Sequence, residues 1–179
     1  MKKIIAACLL IGLFATATGQ TEKGDWMVGG GVRLNTSKNN TEIAFQPNAG
    51  LFVITNLAVG ANFILDYSKA GDTKVTNFGF GPFVRYYFTD AKVRPFFHGT
   101  LNYLSSKVKT PVITSTNNGL NFFLGGGAAI FVSDQVSLDI LMGYDHTKYK
   151  DFDGSGGFAL SIGFQVYLLR RQVERLRGQ

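Results

Sequence analysis

An alternation of apolar and small or polar residues recurs eight times along this chain, and its polarity is inverted. From residue 57 one series reads Leu57, Val59, Ala61, Phe63, Leu65, Tyr67; the residues between are Ala58, Gly60, Asn62, Ile64 and Asp66. A repeat of two is the period of a β-strand. A water-soluble barrel hides its apolar series inside and shows a polar one. Here the less apolar series is dominated by glycine, asparagine and scattered charges, which suits a narrow wet lumen, while the other series is oily enough to face lipid. The pattern predicts an all-β, eight-stranded antiparallel up-and-down transmembrane β-barrel.

The expected strands cover residues 25–36, 42–54, 57–67, 75–88, 93–104, 119–132, 136–144 and 158–168. Tilted membrane strands need about 9–11 residues, and these spans suffice. Three connections are short, near Asn56, Asp90 and Asp134; four are longer, the longest being 105–118. Such barrels keep short turns in the periplasm and long loops outside, which puts both termini in the periplasm.

The first nineteen residues fit a secretory signal peptide. Lys2 and Lys3 open it, residues 4–15 are apolar, and Ala17 and Gly19 are the small residues expected before cleavage at Gln20. The barrel then occupies 20–168, and 169–179 forms a basic periplasmic tail. Cys8, the only cysteine, lies in the leader, where too short an apolar run precedes it for a lipid anchor. The mature chain therefore has no disulfide or thiolate metal site. No stretch of 18 apolar residues marks a membrane helix. The net charge of +6 is owed mostly to two leader lysines and to Arg170, Arg171, Arg175 and Arg177 in the tail, so it is no footprint for nucleic acid. Leu169, Val173 and Leu176 have helical spacing, which would suit a short basic amphipathic helix on the anionic inner-leaflet surface, yet a helix so short is marginal and a frayed end is the preferred expectation.

Aromatic residues mark the two interfaces. Tyr67, Tyr103 and Tyr144 end upward strands on the lipid-facing parity, and Trp26 and Phe88 fall at the inner ends, as an aromatic girdle requires. Most strand glycines, Gly60, Gly81, Gly125 and Gly143 among them, take the inward parity and make room for Phe83, Phe123 and Arg85. Pro47, Pro82 and Pro95 interrupt strands, where bulges or strand ends are expected.

Inward residues near the periplasmic end are Phe52, Arg85, Tyr87, Arg94, Phe96, Phe131, Asp139 and Tyr167; near the mouth they are small and polar, among them Arg33, Asn35, Asn62, Asp66, Asn77, Asn102, Asn121 and Asp145. A lumen plugged at its base follows, with Asp139 paired to Arg85 or Arg94, because an unpaired charge there is costly. That charge cluster is structural. No catalytic residue is assigned: His98 points into the mid-lumen, and His146 beside Asp145 is a chance dipeptide rather than a dyad. Asp145, Asp151 and Asp153 lack the spacing of a calcium loop, so no metal or other cofactor is expected.

The run Gly79-Phe80-Gly81-Pro82-Phe83-Val84-Arg85-Tyr86-Tyr87-Phe88, followed by Arg94-Pro95-Phe96, resembles the small outer-membrane beta-barrel family abundant in Bacteroidetes-type Gram-negative bacteria, similar in architecture to the OmpX, OmpA-barrel and OmpW groups. The resemblance implies residence in outer-membrane lipid, insertion by the barrel-assembly machinery and a monomeric barrel, and it brings no catalytic or ligand residue. Many such barrels end on an aromatic residue; this chain runs on past Leu168. The expected role is structural or interactive, with loop 105–118 as the contact surface for a surface ligand. The alternative is a narrow porin-like channel for small solutes, apolar ones included, leaving through the wall.

Overall fold

The computed structural model describes residues 21–37, 40–150, 153–170 and 173. Residues 1–19, expected to be a leader, lie outside them. Eight strands follow one another: β1 (Trp26–Ser37), β2 (Asn40–Ile54), β3 (Leu57–Ala70), β4 (Thr73–Tyr87), β5 (Val93–Lys109), β6 (Thr114–Ser133), β7 (Val136–Tyr149) and β8 (Ser155–Leu168). Each pairs antiparallel with its sequence neighbours, and β1 meets β8, so the sheet closes into a barrel. Closure removes the sheet edges that lipid cannot satisfy.

Parity decides which side chains face in. On β4 the residues Phe83, Arg85 and Tyr87 are buried, while Phe80, Pro82, Val84 and Tyr86 are exposed. The exposed apolar residues cover the outer wall on every strand. Short turns join β2 to β3, β4 to β5 and β6 to β7; Asn56 takes φ 66° in the first of them, a conformation asparagine tolerates better than most residues. These turns and the Trp26 and Leu168 strand ends share one end of the barrel, here the turn end.

The connections at the opposite, loop end are shorter than expected. Residues 105–118 are mostly strand rather than loop: β5 and β6 stay paired from Ser105↔Asn118 to Lys109↔Thr114, leaving residues 110–113 as the tip. Serine, threonine and asparagine gave the segment the composition of a loop. Once the membrane part of the hairpin has set the register, however, those residues extend the ladder, helped by the β-branched Val108, Thr114 and Thr116. For the same reason β3 and β4 run to Ala70 and from Thr73, and β7 to Tyr149.

The prolines do not cause bulges. Pairing passes from Phe45↔Leu65 to Asn48↔Asn62 around Pro47, and from Phe80↔Tyr103 to Phe83↔Thr100 around Pro82, with the register unchanged. Pro95 simply sits near the start of β5, opposite Ala128. The register shifts fall instead at Phe52/Ile54 and Phe131/Ser133, beside short turns, where the ladder must end. Opposite Pro47 stands Gly30 with φ 151°, where a Cβ would lie 2.4 Å from the Gln46 carbonyl oxygen.

The seam is the least complete part of the wall. β1 and β8 pair only from Trp26↔Leu168 to Gly31↔Gly163. Above that point the two strands separate, and Phe158, Leu160 and Ile162 of β8 are more open than most of the wall, Phe158 reaching 92% exposure. At the chain's end Val173 N–H donates to the Leu169 carbonyl at 3.2 Å, a helical bond, and Arg170 N–H donates to Asp25 Oδ1 at 2.9 Å. The remainder of the tail lies outside the described residues.

Candidate functional site: a lumen closed at one end

The base of the lumen is built from facing strands. Arg85 on β4 and Asp139 on β7 form a buried ion pair at 2.5 Å. The carboxylate also accepts from Ser137 Oγ at 2.7 Å. Arg85 Nη1 reaches Tyr87 Oη at 3.3 Å, and the Tyr87 and Tyr167 hydroxyls lie 2.8 Å apart. Arg85 Nε donates to His98 Nδ1 at 3.2 Å, and its guanidinium stacks 4.3 Å from the Phe96 ring centre. Each charged group thus has charge-assisted partners, which makes a buried pair tolerable. Below it Phe52, Tyr87, Phe96, Phe131 and Tyr167 pack with Met27, all buried. Five rings thus pack side by side across the base of an eight-stranded barrel.

Arg94 does not share the role of Arg85. It turns toward the barrel's lower rim, donating to the carbonyls of Ala91 at 3.0 Å and Asp90 at 3.4 Å and to Thr21 Oγ1 at 3.1 Å, over the Phe131 ring. It ties the β4–β5 turn to the N-terminal segment.

Toward the loop end the same lumen opens into a cavity of 680 Å³. Asn121 is the hub of its wall. Its Nδ2 donates to Asp145 Oδ2 at 2.9 Å and Thr147 Oγ1 at 3.0 Å, and its Oδ1 accepts from Asn102 at 3.1 Å. Among the described residues, the side-chain oxygens of Asn48, Asn62, Asn77, Asn102 and Gln165 have no hydrogen-bond donor. The cavity is thus lined largely by amide side chains, where the base is packed with rings. It also reaches the β1–β8 gap, where Phe158, Leu160 and Ile162 line it.

The wall carries the expected aromatic residues. Tyr67, Tyr103 and Tyr144 are exposed toward the loop end and Phe88 toward the turn end, while Trp26 is half-buried beside the seam. Asp145 and His146 point to opposite faces: His146 lies on the wall, 5.3 Å from the Phe122 ring centre, and Asp145 faces the lumen. Asp151 lies outside the described residues, as do the side chains of Arg33 and Asn35. Ser137 and Gln165 were missed as lumen residues, though both fall on the inward parity beside Asp139 and Tyr167, where a polar residue is a signal in itself.

A transmembrane barrel with an oily wall, short turns at one end and a plugged base is the class this geometry defines. The chain belongs to the outer membrane protein beta-barrel domain family, whose model matches residues 5–171; it is an outer-membrane barrel. No curated protein matches it. Among solved structures it is similar to Neisserial surface protein A (NspA), with a TM-score of 0.60 and 20% identity over 79% of this chain and 94% of that one. It is also similar to the N-terminal β-barrel domain of Pseudomonas aeruginosa OprF, with a TM-score of 0.58 and 12% identity over 82% of this chain and 98% of that one. A third is Ail, the attachment invasion locus protein of Yersinia pestis, with a TM-score of 0.53 and 10% identity over 82% and 99% respectively. At these identities the likeness is one of fold.

Proposed function

We propose that the protein is a non-conducting monomeric barrel that acts at the outer surface, where its hairpin tips meet a ligand. The base carries this reading: a lumen filled by Arg85–Asp139 and a layer of buried rings offers no path for ions. Sidedness follows from the rule that short turns are periplasmic, which puts the open cavity and the long hairpins outside. The β5–β6 hairpin is the main contact element. Its tip holds Val112 and Ile113, 87% and 66% exposed, where the apolar wall residues of the same strands reach 59% at Val132. Apolar side chains held out in water at the end of a rigid ribbon favour a partner that covers them. As an exported barrel it is inserted by the barrel-assembly machinery.

Planar-bilayer recording tests the closed base. Wild type is expected to be silent, and the triple variant F52A/F131A/Y167A to conduct. Steady single-channel steps from wild type would overturn the reading. The unpaired part of the β1–β8 seam favours a second reading, in which small solutes, apolar ones included, enter the cavity from outside and leave sideways through the wall. Transfer of a fluorescent apolar probe into vesicles, abolished by a V32C/I162C crosslink across the seam, would support it.

A further inference from the structure

We infer that Lys69, Lys74, Lys107 and Lys109 form a docking surface for lipid-borne phosphate on the barrel wall at the loop end. They are distant in sequence, and the strand register gathers them. Lys69 is the partner of Lys74 across β3–β4, Lys74 is the partner of Lys109 across β4–β5, and Lys107 stands opposite Thr76. Three ammonium-bearing side chains thus leave neighbouring strands, each strand about 4.8 Å from the next. All four are exposed and share the outward parity of Tyr67, Phe78 and Tyr103.

Their height fits a headgroup. Lys69 is one outward step beyond Tyr67, and Lys107 two beyond Tyr103. At about 3.3 Å per residue on a tilted strand, the ammonium groups begin roughly 5–10 Å above the tyrosine level. Tyrosines of this kind mark the boundary of the hydrocarbon, so the lysines stand where lipid phosphates lie.

Their charge calls for an anion. Like charges directly opposite on a sheet repel, and this row places lysine beside lysine twice. The outward partners that continue these rows on β6 are Thr114 and Thr116. Asp66 takes the inward parity, and Asp72, at the tip of the β3–β4 hairpin, is the exposed carboxylate nearest in sequence. One carboxylate does not neutralise four lysines. A phosphorylated lipid does so while its acyl chains cover the apolar wall immediately below, through Phe78, Phe80 and Tyr103. That continuity from cation to oily wall favours lipid over free phosphate.

The test uses the whole barrel in phosphatidylcholine nanodiscs, with added bisphosphorylated lipid A or with the same glycolipid stripped of phosphate. Wild type is expected to retain the phosphorylated lipid in native mass spectrometry and to melt at a higher temperature with it. K69Q/K74Q/K107Q/K109Q should lose both effects yet melt like wild type in phosphatidylcholine alone. The corresponding four arginine substitutions should preserve both, and K92Q, at the turn end, should change neither. The inference is overturned if the glutamine variant keeps the preference or if wild type shows none. It is equally overturned if inorganic phosphate in plain phosphatidylcholine nanodiscs reproduces the shift, since the surface would then serve a free anion.

Discussion

The two halves of the lumen are made from the same strands and the same inward parity, yet they solve opposite problems. Near the turns, inward positions carry Phe52, Tyr87, Phe96, Phe131 and Tyr167, and the one buried ion pair described there, Arg85–Asp139, is enclosed by hydroxyls and rings. Near the loops, inward positions carry asparagines, threonines and glycines, and a 680 Å³ cavity remains. A barrel of this width can be filled or left open simply by the size of what is turned inward. Charge is tolerable in the first half because every member of the cluster has a partner; the second half is lined largely by neutral amides instead, for which a missing partner costs far less than it would for an ion.

The sharpest way to break this contrast is to unpair the base. D139L leaves Arg85 charged among rings and should cost about 3–5 kcal/mol, most of it recovered in R85M/D139L; urea unfolding in liposomes reads both. A result equal to wild type would mean the pair is wetter than the geometry shows. The wall offers a control that spans both halves. Arginine at Val84 or Ile140 should cost about 2–4 kcal/mol if these lie at mid-bilayer, and at Leu65, one outward step from Tyr67, distinctly less. Equal losses at all three sites would contradict the depths assigned by the girdle.

A glycine tests the packing of the upper half. A Cβ on Gly143 would meet the Leu124 carbonyl at 2.4 Å and the Phe123 ring at 2.6 Å. G143A should therefore destabilise by about 1–3 kcal/mol, as overpacking does, and F123A should relieve only the ring's share of it; a thermal-melt cycle of the two variants separates the shares. Smallest of all are the cavity asparagines. N62A and N77A, whose oxygens have no donor among the described residues, should stay within about 0.5 kcal/mol of wild type in the same melts. A large loss there would show that the open half is held as tightly as the base.

Much of this was legible beforehand. The period of two separated wall from lumen, and distance from the short turns separated base from mouth, because both depend only on backbone geometry. Residues 105–118 were misread because their composition matches a loop, whereas pairing inherited from the membrane part of the hairpin holds them as strand to Lys109 and from Thr114. Pro47 and Pro82, unlike Pro95 near its strand start, were misread in the opposite sense. A ladder can lose one donor without shifting its register when the flanking pairs on both sides hold it.

The lumen pair marks the limit. Alternation alone placed Arg85, Arg94 and Asp139 inside the barrel. Along the ladder Arg94 is the nearer candidate, since it pairs with Ala129 and Ala129 pairs with Asp139. Yet Arg85, three strands away and aligned with the row of His98 and Gly125, is the residue that meets the carboxylate. Tilt and shear stagger the strands, so residues that share a hydrogen-bonded row differ in height, and residues from different rows meet across the lumen. The order of amino acids determines which side chains enter the barrel. Only closure, with its fixed stagger, decides which of them touch.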